Sequence, residues 1–437
     1  MKGKNAMKHI RLLCLFLAII LLCLTPVGCQ KRGTAYNTEQ TPQGSAWSAR
    51  FTDGSVIDLM AGVTAQEPTA TANSLTAGNV AMTDFSVRLL QVCLQNGQNT
   101  LIAPFSVWQA VGMIANGANG ATKTQIEQTM GMTIEEINLY TYLYNDTYAN
   151  GKCLTSANAM WLADSEEFVV NPAFLQVNAD YYGADAFRVA QGDFTQLINE
   201  WVNEKTAGKI PTMRESQPDG PTWLYLVNAL YFEAEWAGDR PWENVAPGTF
   251  TREDGTTETV QMMQAEQAHV FQYKGTTGFV KSYKGCSYDF VALLPERGTA
   301  VADYVAGLTG AELRAMLLSA VSDNGTVYLP KFDTSYQTDL ADALSAMGMS
   351  NAFTSAADFS GIGRFGSRDT HEISKVTHKT TLSVNEYGTV ASAATAIEMT
   401  DGISLETHFD RPFVYLIVNR MTKTPVFIGA LMNVSDH

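Results

Sequence analysis

The side chains that could perform catalytic chemistry are scattered along this chain. The histidines at positions 269, 371, 378 and 408 are scattered, and any one of them is more often a hydrogen-bonded structural residue than a general base. The sequence contains no Gly-x-Ser-x-Gly elbow, no phosphate-binding loop, and no Cys-x-x-Cys or His-Glu-x-x-His pair that would hold a metal ion. We therefore predict that the protein is not an enzyme and uses no cofactor and no metal.

One motif does match a known chemistry, the spacing Gly-x-Gly-x-x-Gly at residues 361–366. A dinucleotide site requires this motif to follow a buried strand and to open a helix. Here the motif follows the residues ADFS and leads into SRDT, and neither stretch provides that context. We interpret the match as a surface loop.

The composition predicts a folded protein with an acidic surface. Of 437 residues, 46% are hydrophobic and 17% are charged, which excludes a disordered or fibrous chain. The net charge of −15 argues against nucleic-acid binding, because that function requires clustered Lys and Arg side chains. The same charge argues against a heparin-type polyanion as a partner.

The N-terminal residues have the pattern of a secretory signal. Several Lys and Arg residues precede an apolar run at residues 12–24, and a Gly-Cys pair follows at residues 28–29. As a helix this run would span about 20 Å, less than the roughly 30 Å hydrocarbon layer, so a membrane-spanning helix is the weaker interpretation. The Gly-Cys pair is similar to the cleavage site of a bacterial lipoprotein, in which Cys29 would carry the lipid. Plain secretion is the alternative.

Three segments follow from these patterns. We expect a lipoprotein-type signal peptide at residues 1–28, a partly ordered low-complexity tether at residues 29–74, and one folded domain at residues 75–437. The protein would then be extracellular, either secreted or held at the bacterial cell surface by its lipid alone. We expect it to be a monomer.

Three cysteines remain outside the signal and the proposed anchor, namely Cys93, Cys153 and Cys286. Their wide spacing is not that of a disulfide framework. We expect them to be small buried hydrophobic residues.

Hydrophobic periodicity places helices early in the domain and strands late. Apolar residues recur at helical spacing at residues 82–94 and 107–113. Strand-like stretches follow at residues 222–232, 289–294, 380–384, 413–418 and 426–431. Because the two types do not alternate, we predict an α+β fold with antiparallel or mixed sheets.

The stretch at residues 388–397 is unusual because it has no charge, no proline and almost only small side chains. Composition alone favours a flexible loop or a short Ala-rich helix. As a strand, it would place Thr389, Ala391, Ala393 and Thr395 on one face, with small residues on the other face as well. Such a strand could insert between two others, which a proline or a buried charge would prevent.

A series of motifs follows in a fixed order from residue 80 to the C-terminus. They are NTLIAPFS at 99–106, NGA at 116–118, INEWVNEKTAGKI at 198–210, VNALYF at 227–232 with Trp236, LPKF at 329–332, ADFSG at 357–361, HK at 378–379, the small-residue stretch, RPF at 411–413 and FIG at 427–429. In this order they resemble the serpin family. The resemblance implies three β-sheets, about nine helices and an exposed reactive-centre loop at about residues 386–410.

The resemblance also implies the activity, single-use inhibition of serine proteases and sometimes of cysteine proteases. A protease would cleave the reactive loop and become trapped as an acyl-enzyme while the cut loop inserts into the main sheet. The residues that match the hinge of inhibitory members are Glu386, Gly388, Thr389, Ala391, Ala393 and Thr395.

Four further residues match positions that control sheet opening in the family. Ser106, Asn228 and His378 fall on its hydrogen-bond cluster, and Trp236 falls where the loop first enters the sheet. Ala103 departs from the family, which usually has Ser before the proline, so the cluster lacks one hydroxyl. Ordinary core packing is the alternative interpretation for each matched residue.

The resemblance leaves several scissile bonds open. Counting forward from the hinge reaches Gly402, and counting back from Phe413 reaches Asp401, so the candidates are Met399, Thr400, Asp401 and Gly402. No Arg or Lys lies nearby, which argues against trypsin-like targets. The small and aliphatic candidates favour an elastase-like serine protease, and Asp401 would instead suit an Asp-specific protease. A non-inhibitory carrier or structural role is a further alternative. A surface enzyme is another, although the absence of an assembled nucleophile and base argues against it.

Overall fold

Helices dominate the first part of the domain, and strands dominate the rest. The computed structural model describes residues 46–69, 73–149, 152–163, 168–190, 194–213, 223–238, 242, 244–319, 323–365, 372–373, 375–389 and 405–435. The α-helices are α1 (Asn73–Cys93), α2 (Pro104–Ala115), α3 (Gly120–Met130), α4 (Ile134–Tyr148), α5 (Pro172–Tyr182), α6 (Phe194–Lys205), α7 (Val301–Gly307), α8 (Gly310–Ser319) and α9 (Ala341–Leu344). Within the described ranges, no helix is both long enough and apolar enough to cross a membrane.

Local sequence explains where several helices begin. Pro104 opens α2, at a position where no intrahelical N–H is needed, and every residue of this helix is buried. Helix α4 begins with a capping box in which Thr133 and Glu136 each accept the backbone N–H of the other. Helix α5 begins with Asn171, whose side chain accepts from the N–H of Ala173.

The strands account for most of the remaining described chain. They are β1 (Val56–Asp58), β2 (Thr100–Ile102), β3 (Leu154–Ala163), β4 (Phe168–Val170), β5 (Asp185–Val189), β6 (Leu224–Phe232), β7 (Ala234–Glu235), β8 (Asn244–Thr251), β9 (Thr257–Tyr273), β10 (Thr276–Ser282), β11 (Tyr288–Leu294), β12 (Asp323–Pro330), β13 (Phe332–Asp339), β14 (Gly363–Phe365), β15 (Thr377–Asn385), β16 (Gly388–Thr389), β17 (Leu405–His408), β18 (Phe413–Asn419) and β19 (Pro425–Leu431). The predicted α+β class is confirmed.

Two four-stranded sheets are joined by the chain that runs from β6 into β7, and we call the two together the main sheet. One four-stranded part has the order β1-β5-β3-β6, and the other has the order β13-β15-β16-β7. We call them the β6 half and the β15 half. They are continuous at one end, because β7 follows β6 after the single residue Glu233. Beyond that end, the described strands include none that pairs with both β6 and β15.

A nine-stranded sheet contains the most buried strands. Its order is β17-β12-β9-β10-β11-β18-β19-β2, and β8 pairs with β9. All residues of β11, β18 and β19 are buried, which explains their nearly continuous apolar sequences. The remaining pair, β14 with β4, includes Gly363–Phe365, so the predicted surface loop is wrong for these residues. Ile362 beside them is fully buried.

A disulfide joins Cys153 to Cys286, with their Cα atoms 6.3 Å apart. The expectation that both are unpaired hydrophobic residues is therefore wrong, whereas Cys93 is a free buried thiol. Sequence spacing concealed the pair because 133 positions separate the two cysteines. The fold brings them together by placing the start of β3 against the turn between β10 and β11.

Part of the segment predicted as a tether packs against the domain. Strand β1 extends the β6 half by pairing with β5. Trp47 is 1% exposed, and its ring lies 5.1–5.2 Å from the rings of Phe187 and Trp161. These residues form a second hydrophobic core that also includes Trp201 of α6.

Candidate functional site

The described residues of the predicted hinge lie at the end of the main sheet, where the chain turns after β15 and runs back antiparallel to it. Asn385 ends β15, and its side-chain oxygen accepts from the N–H groups of Tyr387 (2.9 Å) and Gly388 (3.3 Å). An Asn side chain that accepts from residues two and three positions later stabilises a tight turn. Glu386 and Tyr387 form this turn, and the chain then enters β16.

Strand β16 is already paired on both sides. Gly388 faces Asn385 of β15 and Glu235 of β7, and Thr389 faces Val384 and Ala234. A Cβ atom on Gly388 would collide with the carbonyl oxygen of Ala234, so the close backbone approach requires glycine here. The first residues of the small-residue stretch are therefore strand residues inside the main sheet.

Thr389 points into the interior of the protein. Its side chain is fully buried, and its Oγ1 lies 2.7 Å from the hydroxyl of Tyr283, with which it shares a hydrogen bond. Burial raises the pKa of Tyr283 far above its usual range, so the hydroxyl stays protonated and neutral.

Trp236 donates two hydrogen bonds to the hinge turn. Its indole N–H donates to the carbonyl oxygen of Asn385 (2.9 Å), and its backbone N–H donates to that of Tyr387 (3.1 Å). The indole also stacks on Tyr283, with ring centroids 4.7 Å apart. Trp236 thus contacts both the turn and the residue that binds Thr389.

Glu386 forms an ion pair with Lys331. The Nζ atom of Lys331 lies 2.7 Å from Oε2 of Glu386, and the two side chains are 34% and 19% exposed. Lys331 lies between β12 and β13, and the carbonyl oxygen of Glu386 accepts from the N–H of Trp242 (3.3 Å). These contacts hold the hinge turn against Lys331, the residue before β13, and against Trp242.

His378 lies on β15 and is buried. Its Nε2 accepts a hydrogen bond from the backbone N–H of Ala103 (3.1 Å), just before α2. Burial lowers the pKa of His378 to about 4, so the ring is neutral at pH 7 and can act as an acceptor. Ser106 lies one turn into α2, where its N–H donates to the carbonyl oxygen of Ala103 (3.0 Å).

Asn228 belongs to a separate network on the β6 half. Its side-chain amide donates to Oδ1 of Asn158 (2.6 Å) and to Oγ of Ser156 (3.3 Å), both on β3. Gln109 of α2 donates to Ser156 (2.9 Å) and accepts from Asn158 (3.2 Å). The structure therefore does not bring the predicted cluster together directly, since His378 bonds Ala103, just before α2, whereas Asn228 reaches α2 only through Ser156 and Asn158, which bond Gln109.

The rest of the predicted site lies outside the described residues. This applies to Ala391, Ala393 and Thr395 of the hinge, to Cys29, and to the candidate scissile residues Met399, Thr400, Asp401 and Gly402. The described chain resumes at Leu405, and β17 then pairs in parallel with β12.

Sequence reasoning missed several residues that hold the hinge. Lys331, Tyr283, Trp242 and Asn385 have no motif that indicates a role in isolation. Asn385 offers the clearest signal, because an Asn before a Gly-containing turn is a common turn signature. The contact of Tyr283 with Thr389 depends on pairing between residues 106 positions apart, which no local pattern reports.

Comparisons with known proteins agree with this geometry. A family model described as Serpin (serine protease inhibitor) matches residues 80–434. The leukocyte elastase inhibitor of Bos taurus is 31% identical over 383 residues, covering 81% of this chain and 98% of that protein. The solved structure of the thermophilic serpin tengpin in its native state has a TM-score of 0.79 at 32% identity, covering 87% of this chain and 100% of that one. Human thyroxine-binding globulin gives 0.71 at 25% identity, covering 83% and 100%.

Proposed function

We propose that this chain, which belongs to the serpin family, is an irreversible suicide-substrate inhibitor of serine proteases with elastase-like specificity. Its serpin fold agrees with the fold that the sequence motifs imply. The observation that carries the proposal is the double pairing of β16, which begins the inserted strand before any cleavage.

The proposed mechanism is a race between two reactions. The serine of the target protease attacks the carbonyl carbon of one of the candidate scissile residues at positions 399–402. The peptide bond breaks, the C-terminal peptide leaves with the new amino group, and an acyl ester links the loop to the protease. Water would normally hydrolyse this ester and release the protease. Instead, the cut loop extends β16 between β6 and β15 and carries the attached protease with it, which distorts its active site.

Hydrogen bonding can drive this insertion. About ten newly paired strand residues, at roughly 0.5–1.5 kcal/mol net for each hydrogen bond, contribute on the order of 5–15 kcal/mol. That range is similar to the total stability of an ordinary domain. The uncleaved fold would therefore be less stable than the fold with the loop inserted, and a kinetic barrier would keep it from converting.

The loop sequence supports the proposed target class. Residues 390–404 contain no Arg or Lys, whereas Met399, Thr400 and Gly402 are small or unbranched side chains of the kind an elastase-like pocket accepts. The similarity to a leukocyte elastase inhibitor supports the same class. Asp401 provides the alternative of an Asp-specific protease, and a cysteine protease could be trapped as a thioester by the same loop.

We also propose that the inhibitor works outside the cell as a monomer. The N-terminal signal pattern supports secretion, and Cys29 supports lipid attachment at a bacterial surface. The tether before the packed residues would hold the domain away from the membrane.

The test is to mix the mature protein with neutrophil elastase and to analyse the products on denaturing gels and by intact mass. We expect a covalent complex that survives boiling, together with a released C-terminal peptide whose mass identifies the scissile bond. Cleavage of the loop without any complex, by elastase and by an Asp-specific protease alike, would contradict the proposal.

One alternative has a specific observation in its favour. Thyroxine-binding globulin shares the fold at 25% identity, and its name indicates a carrier. A carrier role for this chain predicts that loop cleavage produces no gain in heat stability. The paired hinge at β16 favours the inhibitor instead.

A further inference from the structure

The disulfide lies at the corner of the main sheet where the hinge is paired. Cys153 immediately precedes β3, and its carbonyl oxygen accepts from the N–H of Glu233 (3.0 Å), the residue between β6 and β7. Cys286 lies in the turn from β10 to β11 of the nine-stranded sheet. The bond therefore fastens the β6 half to a different sheet, beside the strand that receives β16.

Backbone hydrogen bonds cross the same corner. The N–H of Lys284 donates to the carbonyl oxygen of Glu235 (2.8 Å), and the N–H of Ala237 donates to that of Ser282 (2.8 Å). When the sheet moves, water molecules can replace the partners of these hydrogen bonds, whereas nothing replaces the covalent disulfide bond. It is the contact at this corner that resists displacement most strongly.

Loop insertion requires displacement of the β6 half. Neighbouring strands lie about 4.8 Å apart, so a new strand between β6 and β15 would place those two about 9.6 Å apart. Strand β3 must move with β6, because their ladder runs from the pair Leu154 and Phe232 to the pair Leu162 and Leu224. At the corner itself β16 already lies between β7 and β15, so the β6 half must open by rotating about this corner, which changes the orientation of Cys153 relative to the turn that carries Cys286.

We propose that the Cys153–Cys286 disulfide is a redox-sensitive brake on loop insertion. This proposal rests on the proposed inhibitory function. The two Cα atoms are 6.3 Å apart, and a disulfide normally tolerates at most about 6.8 Å. The intact bond therefore keeps this corner nearly fixed, and the β6 half can open only by pivoting about it. Reduction removes that restriction and speeds insertion.

Access to the sulfur atoms suggests how reduction proceeds. Cys286 is partly exposed, whereas Cys153 is 9% exposed. A thiolate of a small dithiol attacks the Cys286 sulfur, the S–S bond breaks, and Cys153 leaves as a thiolate. The second thiol then attacks the mixed disulfide and releases Cys286. The dithiol becomes a cyclic disulfide, and the protein gains two electrons and two protons.

The test compares insertion rates after cleavage. A Glu-specific protease, which would cut the loop after Glu398, cleaves the oxidised parent, the parent treated with a water-soluble phosphine, and the double variant Cys153→Ser/Cys286→Ser. Timed samples are transferred to concentrated urea, and tryptophan fluorescence measures the fraction that resists unfolding. Cys93→Ser, with and without phosphine, is the matched control because Cys93 is a free buried thiol at the end of α1.

We expect the reduced parent and the double variant to acquire urea resistance at least roughly fivefold faster than the oxidised parent, since the constraint acts on the barrier to insertion. Cys93→Ser should match the parent in both conditions. Equal or slower rates on reduction would overturn the brake. If no form acquires resistance, insertion itself is refuted and the proposed function fails with it. The phosphine-treated parent keeps the test decisive if the double variant does not fold.

Discussion

At the scale of single residues, His378 links the stability of the β15 half to pH. Burial lowers its pKa to about 4 in the folded protein, whereas a histidine in the unfolded chain has its ordinary pKa of about 6.5. Between these values the unfolded chain binds a proton that the folded chain excludes, so this stabilisation is complete above pH 6.5 and is lost as the pH falls towards 4. The shift corresponds to about 3 kcal/mol.

We therefore predict that His378→Gln flattens the pH dependence of stability. The Gln side-chain oxygen can still accept from the N–H of Ala103 but does not titrate. Urea unfolding midpoints at several pH values between 7 and 4.5 measure the effect, and the parent should lose more stability than the variant across that range. Parallel profiles for the two proteins would show that His378 is not the titrating group.

The ion pair between Lys331 and Glu386 restrains the hinge turn. Because both side chains are partly exposed, we expect Glu386→Gln to lower the free energy of unfolding by only about 1 kcal/mol or less. The larger expected effect is kinetic, since the freed turn lets uncleaved protein convert faster to a urea-resistant form. The control is Glu312→Gln, which removes the exposed pair with Lys274 away from the hinge. Equal conversion rates for the two variants would contradict this role.

At the scale of elements, the pairing of β16 inside the sheet determines which side chains the hinge can accommodate. Thr389 is fully buried against Tyr283, so Thr389→Arg would place a charge in the sheet interior. We predict that this variant is cleaved as a substrate and forms little covalent complex with the target protease. Thr381→Arg on the exposed face of β15 is the matched control and should retain inhibition. Complex formation by Thr389→Arg at the parent's efficiency would refute the insertion mechanism.

Sequence periodicity located most long elements. The stretches predicted at residues 380–384, 413–418 and 426–431 lie within β15, β18 and β19, and the helices predicted at 82–94 and 107–113 correspond to α1 and α2. These elements bury many apolar side chains, so their periodic patterns are strong. Elements held by long-range contacts gave no such signal. Strands β7 and β16 have two residues each and exist only because the chain brings them together.

The candidate site could be predicted only in part for the same reason. Gly388 and Thr389 follow from their small size and from the family motif, and both lie in the sheet. The Lys331 ion pair, the Tyr283 hydroxyl and the disulfide depend on contacts between distant segments. Trp47 was missed because it lies in a stretch of low-complexity composition, although it packs into a core with Trp161.

At the scale of the whole molecule, the two sheet halves are joined at one corner, and the described strands show no further pairing between them. Helix α2 and the residue before it contact both halves, because Ala103 donates to His378 of β15 and Gln109 donates to Ser156 of β3. The β6 half can therefore move relative to the β15 half only if contacts along this helix rearrange. In the proposed mechanism one further strand enters between the two halves, which would make the inhibitor single-use.

If the cleaved loop becomes a strand of the main sheet, the cleaved protein must be more heat-stable than the intact protein, and this is the most direct test of loop insertion. The protein is cut at one of the candidate scissile residues at positions 399–402, and the thermal unfolding midpoints of the intact and cleaved forms are compared. We predict a rise of at least about 10 °C, because roughly 10 kcal/mol of new strand pairing shifts the midpoint by on the order of 1–2 °C per kcal/mol in a large domain. An unchanged or lower midpoint after complete cleavage would contradict loop insertion.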